Sequence, residues 1–490
     1  MEALKEKTIR AGAAKLSGQA GRALIRLGSI IILARLLDPS EFGLVAMVTV
    51  LTGVLEILAN GGLSAATIQR AEVSDDQIST LFWINVAIGI LIAVLCLMVA
   101  PLLKAFYHEP KTAYIIAALA PVFIFTAAGV QHVALLQREL RFPILSALEV
   151  GSELAAAAVG IGMALAGWGY WALVGSALAP PLCLTLGAWL ATGWMPGWPR
   201  YDRTVGSMLR FGGTVALNTL VVHAAYNFEK LLLGRYFGTD ALGLYSKAYE
   251  LINLPTRILN SAVGGVAFSA LSRLQSDPVR FKNYFLKGYS LVVSLTLPTT
   301  IFCAALADDI ILVVLGPKWT GATPIFQLLA PTILVFGIIN PYAWLLQSTG
   351  FHKRCLNTAF VIAPIAIGAY LVGIPYGPTG VALAYSTAMC LWMVPHTFWC
   401  LHGTPISPLD LLLPIARPML SGVAAVIAGI WVQHLIIDAV PYPLVRLAIV
   451  GTAMLAVYSW TLIFVMNQKS FYIDILRVAI KSSDPAVRGG

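Results

Sequence analysis

Charge is scarce in this chain. Only 11% of its 490 residues are Asp, Glu, Lys or Arg, against about 25% in soluble domains, while 58% are hydrophobic and mean hydropathy is +0.81. That shortage excludes a soluble domain and leaves a polytopic membrane protein. Cysteine is sparse as well. Cys96, Cys183, Cys303, Cys355, Cys390 and Cys400 are scattered without metal-ligand spacing, and read as small apolar residues. No short apolar core with a cleavage site follows the charged start at Lys5, Lys7, Arg10 and Lys15, so no signal peptide is expected. Long polar loops are missing too. The longest on the outer side, 307–320, has only Asp308, Asp309 and Lys318 as charges. With no nucleophile–base spacing or ligand cluster either, the chain is not expected to be an enzyme.

What is present is a succession of long apolar segments. Hydropathy places about fourteen spans near 12–37, 41–68, 78–103, 112–136, 142–167, 169–193, 207–236, 240–273, 281–306, 321–349, 352–375, 377–400, 409–437 and 442–467. With the N-terminus inside and the spans alternating, 20 of the 32 Lys and Arg residues fall on the cytoplasmic side, 6 outside and 6 within spans. This asymmetry predicts that both termini are cytoplasmic. The net charge of +9 therefore reflects topology, and no nucleic-acid partner is expected. The tail from Lys469 to Lys481 reads equally as a short interfacial helix or as a frayed end.

The two halves resemble each other. Leu33-Ala34-Arg35 through Phe42-Gly43-Leu44 matches Leu233-Gly234-Arg235 through Leu242-Gly243-Leu244 at an offset of 200, and Asn60 falls on Asn260. At an offset of 210, Leu119-Ala120-Pro121 matches Leu329-Ala330-Pro331, Leu135-Leu136-Gln137 matches Leu345-Leu346-Gln347, and Ala172-Leu173 with Ser176 matches Ala382-Leu383 with Ser386. The expected fold is all-α, with two pseudo-symmetric six-helix lobes at 1–193 and 207–400 and a site between them. A linker at 194–206, an appended helix pair at 401–467 and a tail at 468–490 complete the division. The linker, with Trp194, Trp198, Arg200 and Arg203, reads as a hinge or as an interfacial loop. Prolines such as Pro121 and Pro331 are expected to kink their helices.

Four spans carry polar stripes at helical spacing. Span one has Lys15, Gln19, Arg22, Arg26 and Ser29; span two has Thr52, Glu56, Asn60, Ser64 and Thr67. Span seven has Thr219, His223, Asn227 and Lys230, with Glu229 beside them; span eight has Ser246, Glu250, Asn253, Arg257, Asn260 and Gly264. Arg22 lies roughly 15 Å into its segment at ~1.5 Å per residue, a depth where a cation costs from ~2.5 to more than 10 kcal/mol. Such residues face a wet cavity or meet an anion. A diphosphate needs two or more cations, and arginine suits it through forked donors. Arg22, Arg26 and Arg257 are the candidate diphosphate ligands, with Lys230 weaker because it can snorkel. Glu56, Asn60, Glu250, Asn253 and Asn260 are candidates for hydrogen-bonding sugars or for tuning the field. The alternative is internal pairing, for example of Arg22 or Arg26 with Glu56. Glu149 and Glu153, one turn apart in span five, read equally as coupling sites or as structural hydrogen-bonding groups, and the lone His132 and His223 read as structural.

The run Ile32-Leu33-Ala34-Arg35-Leu36-Leu37-Asp38-Pro39-Ser40-Glu41-Phe42-Gly43-Leu44-Val45-Ala46-Met47 resembles the opening of polysaccharide-transporter family proteins. So do Gly62-Leu63-Ser64-Ala65-Ala66-Thr67-Ile68-Gln69-Arg70, Leu135-Leu136-Gln137-Arg138-Glu139-Leu140-Arg141-Phe142 and Leu242-Gly243-Leu244-Tyr245-Ser246-Lys247-Ala248-Tyr249. These are Wzx-type flippases of the multidrug/oligosaccharidyl-lipid/polysaccharide superfamily, in the branch that resembles the colanic acid exporter. The resemblance implies two bundles enclosing a cationic cavity with alternating access. It also implies an undecaprenyl-diphosphate-linked oligosaccharide as substrate, flipped across the bacterial inner membrane for exopolysaccharide, capsule or O-antigen assembly. Related lipid II flippases carry cavity arginines on their first and eighth helices, which correspond here to Arg22 or Arg26 and to Arg257. The drug-extruding branch typically has an acidic residue in its first span, where this chain has arginines.

The function read from these features is a flippase of lipid-linked oligosaccharides. The alternatives are a lipid II flippase or small-molecule exporter of the same superfamily, and a membrane glycan polymerase or ligase. Membrane lipids and a polysaccharide polymerase or co-polymerase are the other partners considered. No cofactor is expected, and coupling to protons, to sodium or to neither is open.

Overall fold

The structure, a computed structural model, describes residues 2–60, 74–199, 203–436, 439–470 and 472–473, with side chains described throughout these except at 2–16, 58–60, 203–226, 261–262, 266, 352 and 356. Among the described residues all regular structure is helical. Contacts divide the chain into two compact units, Met1–Ser246 and Lys247–Gly490.

The first unit opens with α1 (Glu2–Leu36), α2 (Pro39–Asn60) and α3 (Asp75–Tyr107). Pro39 starts α2, where its fixed φ suits the first turn and its missing N–H costs nothing. Ser74 caps α3: its hydroxyl accepts from the Gln77 N–H at 3.3 Å, and the Gln77 side chain accepts from the Ser74 N–H at 3.2 Å. Asp75 and Asp76 place negative charge on the positive end of that helix. Then come α4 (Lys111–Leu119), α5 (Pro121–Arg138), α6 (Phe142–Leu165) and α7 (Trp171–Thr192). The core joins Leu44, Val48 and Leu55 of α2 to Ile92 and Cys96 of α3, Ile115 and Leu119 of α4, and Phe123 of α5. On the outer side of α3, Leu97, Met98 and Leu102 are all more than half exposed. An apolar face that wide needs a hydrocarbon solvent.

A continuous helical stretch, α8 (Arg203–Arg273), follows. At ~1.5 Å per residue its 71 residues would run about 106 Å if straight, more than three bilayer cores. It breaks at Gly238, whose φ of 78° and ψ of −167° are non-helical, so it is two helices, as the expected division near 236–240 requires. The second unit continues with α9 (Pro278–Ala305), α10 (Ala307–Val314), α11 (Thr323–Leu329), α12 (Pro331–Ile339), α13 (Pro341–Ser348), α14 (His352–Gly373), α15 (Gly377–Leu401), α16 (Leu412–Ile436) and α17 (Pro443–Trp460). The expected span at 321–349 is thus broken at Pro331 and Pro341, with a bend of 42° between Pro317–Leu329 and Pro331–Ser348. Proline removes a donor and its ring clashes with the carbonyl four residues back. The first unit breaks the corresponding span at Pro121, so the proline match at an offset of 210 is also a match of structure.

The offset of 200 has a tertiary meaning within the first unit. A Cβ on Gly43 would strike the Thr239 carbonyl oxygen and come within 2.8 Å of the Gly243 nitrogen; a Cβ on Gly243 would strike the Pro39 carbonyl oxygen and come within 3.1 Å of the Gly43 nitrogen. Residues 39 and 43 therefore meet residues 239 and 243 reciprocally, backbone against backbone, as two copies related by a local two-fold would. Small residues permit this approach, which in a membrane is a main source of helix–helix attraction.

In the second unit α16 and α17 pack on α9 through Leu297, Ala425, Val450, Met454 and Tyr458. The Tyr458 hydroxyl donates to the Ser294 carbonyl at 2.9 Å. Arg446 grips the buried Asp309 of α10, its Nε lying 3.2 Å from each carboxylate oxygen. Nine helices among the described residues are long and apolar enough to cross a membrane, or ten with the bent pair. α1 is not one of them, because its arginines depress its hydropathy. The expected tail helix lies largely outside the described residues.

Candidate functional site

α1 packs along α6. A Cβ on Gly18 would lie 2.8 Å from Cβ of Ser146, and one on Gly21 would lie 3.7 Å from Cγ2 of Val150. Both chains advance in the same direction along this contact, so the helices are parallel. The glycines let α1 come close, and one turn beyond Gly18 the Arg22 guanidinium meets the Glu149 carboxylate, Nη2 to Oε2 at 3.2 Å, with the side chains 32% and 24% exposed. Arg26 and Glu153 occupy the next turn of the same two helices. The acidic partner of Arg22 is therefore on α6: the ion pair it makes is internal, as the alternative reading allowed, but with Glu149 rather than Glu56. Glu56 is exposed on α2 and has no partner among the described residues. The stripe that leads to it is satisfied locally: the Thr49 hydroxyl donates to the Ala46 carbonyl at 3.1 Å and the Thr52 hydroxyl to the Thr49 carbonyl at 3.4 Å. The side chains of Asn60, Thr219 and His223 lie outside the described residues.

On α8, the Lys230 ammonium donates to Oδ1 of Asn227 at 2.8 Å, and Glu229 is fully buried. In the second unit Glu250 neutralises Lys247 at 2.7 Å, and the Asn253 amide donates to the Tyr249 carbonyl at 3.0 Å. Arg257 is exposed and meets no anion among the described residues. Asn260 stands at a small recess lined also by Thr256, Thr296, Asn340 and Trp344. Of the polar residues on this stretch, Lys247, Glu250 and Asn253 are engaged within their own helix, whereas Arg257 and Asn260 are presented outward.

His132 is fully buried. Its Nδ1 is 2.8 Å from the Thr192 hydroxyl, and its ring lies 4.4 Å from that of Trp189 within a cluster that includes Phe82 and Trp194. The same cluster holds the start of the interlobe linker. The Gly197 N–H donates to the Ser79 hydroxyl at 3.0 Å, and the Trp83 indole donates to the Gly197 carbonyl at 2.9 Å. Gly197 is thus held to α3 by both its N–H and its carbonyl.

Sequence reasoning passed over a buried network in the second unit. The Tyr342 hydroxyl lies 3.1 Å from that of Thr397 and 3.5 Å from that of Tyr289. His396 packs on Tyr342 and approaches the Cys400 thiol at 3.4 Å. The i, i+4 spacing of His396 and Cys400 was the available signal. All six cysteines are free, and no group of His, Cys, Asp and Glu among the described residues is arranged to hold a metal.

Comparison with known proteins places the chain. The family described as "Polysaccharide biosynthesis protein" matches residues 32–324, more than half of the sequence. The chain belongs to that family. Among curated relatives, the lipopolysaccharide biosynthesis protein WzxC of Escherichia coli (strain K12) is 28% identical over 383 residues, covering 76% of this chain and 77% of that protein. The succinoglycan biosynthesis transport protein ExoT of Rhizobium meliloti (strain 1021) is 24% identical over 462 residues, covering 93% and 92%. Among solved structures, the lipid II flippase MurJ in an inward closed conformation has a TM-score of 0.74 at 15% identity, covering 96% of this chain and all of that one. At that identity the likeness shows the fold, the all-α multi-pass membrane architecture expected from the resemblance. The chain thus carries Arg22 and Arg26 on α1 and Arg257 on α8 of an all-α fold shared with that structure.

Proposed function

We propose that this protein is a flippase that moves an undecaprenyl-diphosphate-linked oligosaccharide repeat unit across the bacterial inner membrane by alternating access, for exopolysaccharide, capsule or O-antigen assembly. The observation that carries this reading is Arg22: a guanidinium deep in the first helix, one-third exposed, in a member of a polysaccharide biosynthesis family. Such a cation is retained where an anion must be received. Arg22, Arg26, Arg257 and, secondarily, Lys230 would hold the diphosphate. Glu56, Asn60 and Asn260 would meet sugar hydroxyls, with Glu250 and Asn253 shaping the field around Lys247 and Arg257. Relatives named for lipopolysaccharide biosynthesis and for succinoglycan transport support a carrier rather than an enzyme, and both termini are assigned to the cytoplasm from the charge asymmetry.

The test is the leaflet location of lipid-linked oligosaccharide in cells lacking the protein. Accumulation on the cytoplasmic side with loss of surface polymer is expected. Accumulation of single repeat units on the outer side would place the block after flipping and favour a polymerase or ligase instead.

A further inference from the structure

The proposed substrate contacts account for Arg22 but not for the carboxylate already on it. Glu149 lies 3.2 Å from the guanidinium, on a parallel helix brought close by Gly18 and Gly21. A carboxylate oxygen accepts from a guanidinium as a phosphate oxygen does, and here Oε2 of Glu149 lies against Nη2 of Arg22. Both side chains are partly exposed, at 32% and 24%, so an incoming anion has access to the pair. A membrane-embedded arginine with nothing bound still needs a counter-charge, and a fixed one must be displaced before an external anion binds.

We propose that Glu149 is the resident counter-anion of the Arg22 site: it occupies the guanidinium in the empty carrier, is displaced by the diphosphate on loading, and reclaims Arg22 as the diphosphate leaves. This rests on the flippase reading above and adds a release mechanism to it. Tight binding of a diphosphate would otherwise trap the substrate, and a competing carboxylate one contact away weakens binding and speeds release. If the pair holds Arg22 about nine-tenths of the time, the competent fraction is about one-tenth and the apparent Kd is about tenfold weaker than the intrinsic one.

The experiment measures binding of two probes, undecaprenyl diphosphate and inorganic pyrophosphate, to the purified full-length protein in nanodiscs. Glu149→Gln keeps the shape and removes the charge. It is expected to tighten both probes by about tenfold. In an Arg22→Ala background the same change is expected to do nothing, since the two residues act through one contact. Glu153→Gln, one turn further along, controls for the loss of a negative charge in general and is expected to change affinity by less than about twofold, as its charge lies a further ~6 Å along the helix. Unchanged or weaker binding in Glu149→Gln, a persistent effect without Arg22, or equal tightening by Glu153→Gln would each overturn the inference. If pyrophosphate follows the expected pattern while undecaprenyl diphosphate does not bind, the role of Glu149 stands and the flippase reading fails.

Discussion

Adding one methyl group at Gly43 tests the reciprocal contact in the first unit. Two effects of Gly43→Ala oppose each other. Alanine is the better helix former, by about 1 kcal/mol. Against this, its Cβ would strike the Thr239 carbonyl and lie 2.8 Å from the Gly243 nitrogen. Both are backbone atoms, so no rotamer change relieves the clash and the two segments must separate. Overpacking costs about 1–3 kcal/mol, and backbone on both sides places this contact at the upper end. The net expectation is a loss of about 2 kcal/mol for Gly43→Ala, and the same for Gly243→Ala, whose Cβ would strike the Pro39 carbonyl. The two changes widen one shared gap, so the double variant is expected to cost little more than either single one, a coupling of about 2 kcal/mol. Reversible unfolding of the purified full-length protein in mixed micelles measures all three. Neutral or stabilising single variants, or strictly additive ones, would refute the reciprocal packing.

Three further outcomes are expected. Arg22→Ala, Arg26→Ala and Arg257→Ala should each reduce polymer export about 10- to 100-fold, the worth of one charge-assisted contact to phosphate; unchanged export at normal protein levels would remove them from the site. Arg446→Ala strands the carboxylate of Asp309, which is 3% exposed, and should cost about 3 kcal/mol or more of stability, whereas Arg446→Leu with Asp309→Leu should cost distinctly less; equal losses in the two would show that the pair does not act as a unit. Tyr458→Phe removes the donor to the Ser294 carbonyl and should cost about 1 kcal/mol without altering export, as read from unfolding and polymer yield together.

Much of the fold was legible because membrane helices obey short-range rules. Apolar length set the spans, and proline chemistry set the breaks at Pro121 and Pro331. The repeat offset of 200 identified Gly43 and Gly243 as equivalent, though not that they touch. The site was legible only as a list of candidates. The arginines stood out because a cation in an apolar segment is costly wherever it ends up, a property of residue and segment alone. Which carboxylate answers Arg22 depends on which helix α1 lies against. Glu56 and Glu149 were both available at suitable depth, and sequence spacing contains no term that prefers one.

The sequence by itself determined that this is a multi-pass helical membrane protein with cations in its apolar segments, because hydropathy, helical period and proline geometry act within a few residues; its family was legible only through the resemblance of runs such as 32–47. Only the tertiary structure decided that Gly18 and Gly21 draw α1 onto α6, that Glu149 takes Arg22, and that Lys247, Glu250 and Asn253 are engaged within their own helix while Arg257 is not. The choice of Glu149 turns on helix-to-helix distance and rotation, which are set by packing between residues far apart in the chain, whereas the contacts of Lys247, Glu250 and Asn253 are local and turn on side-chain rotamers.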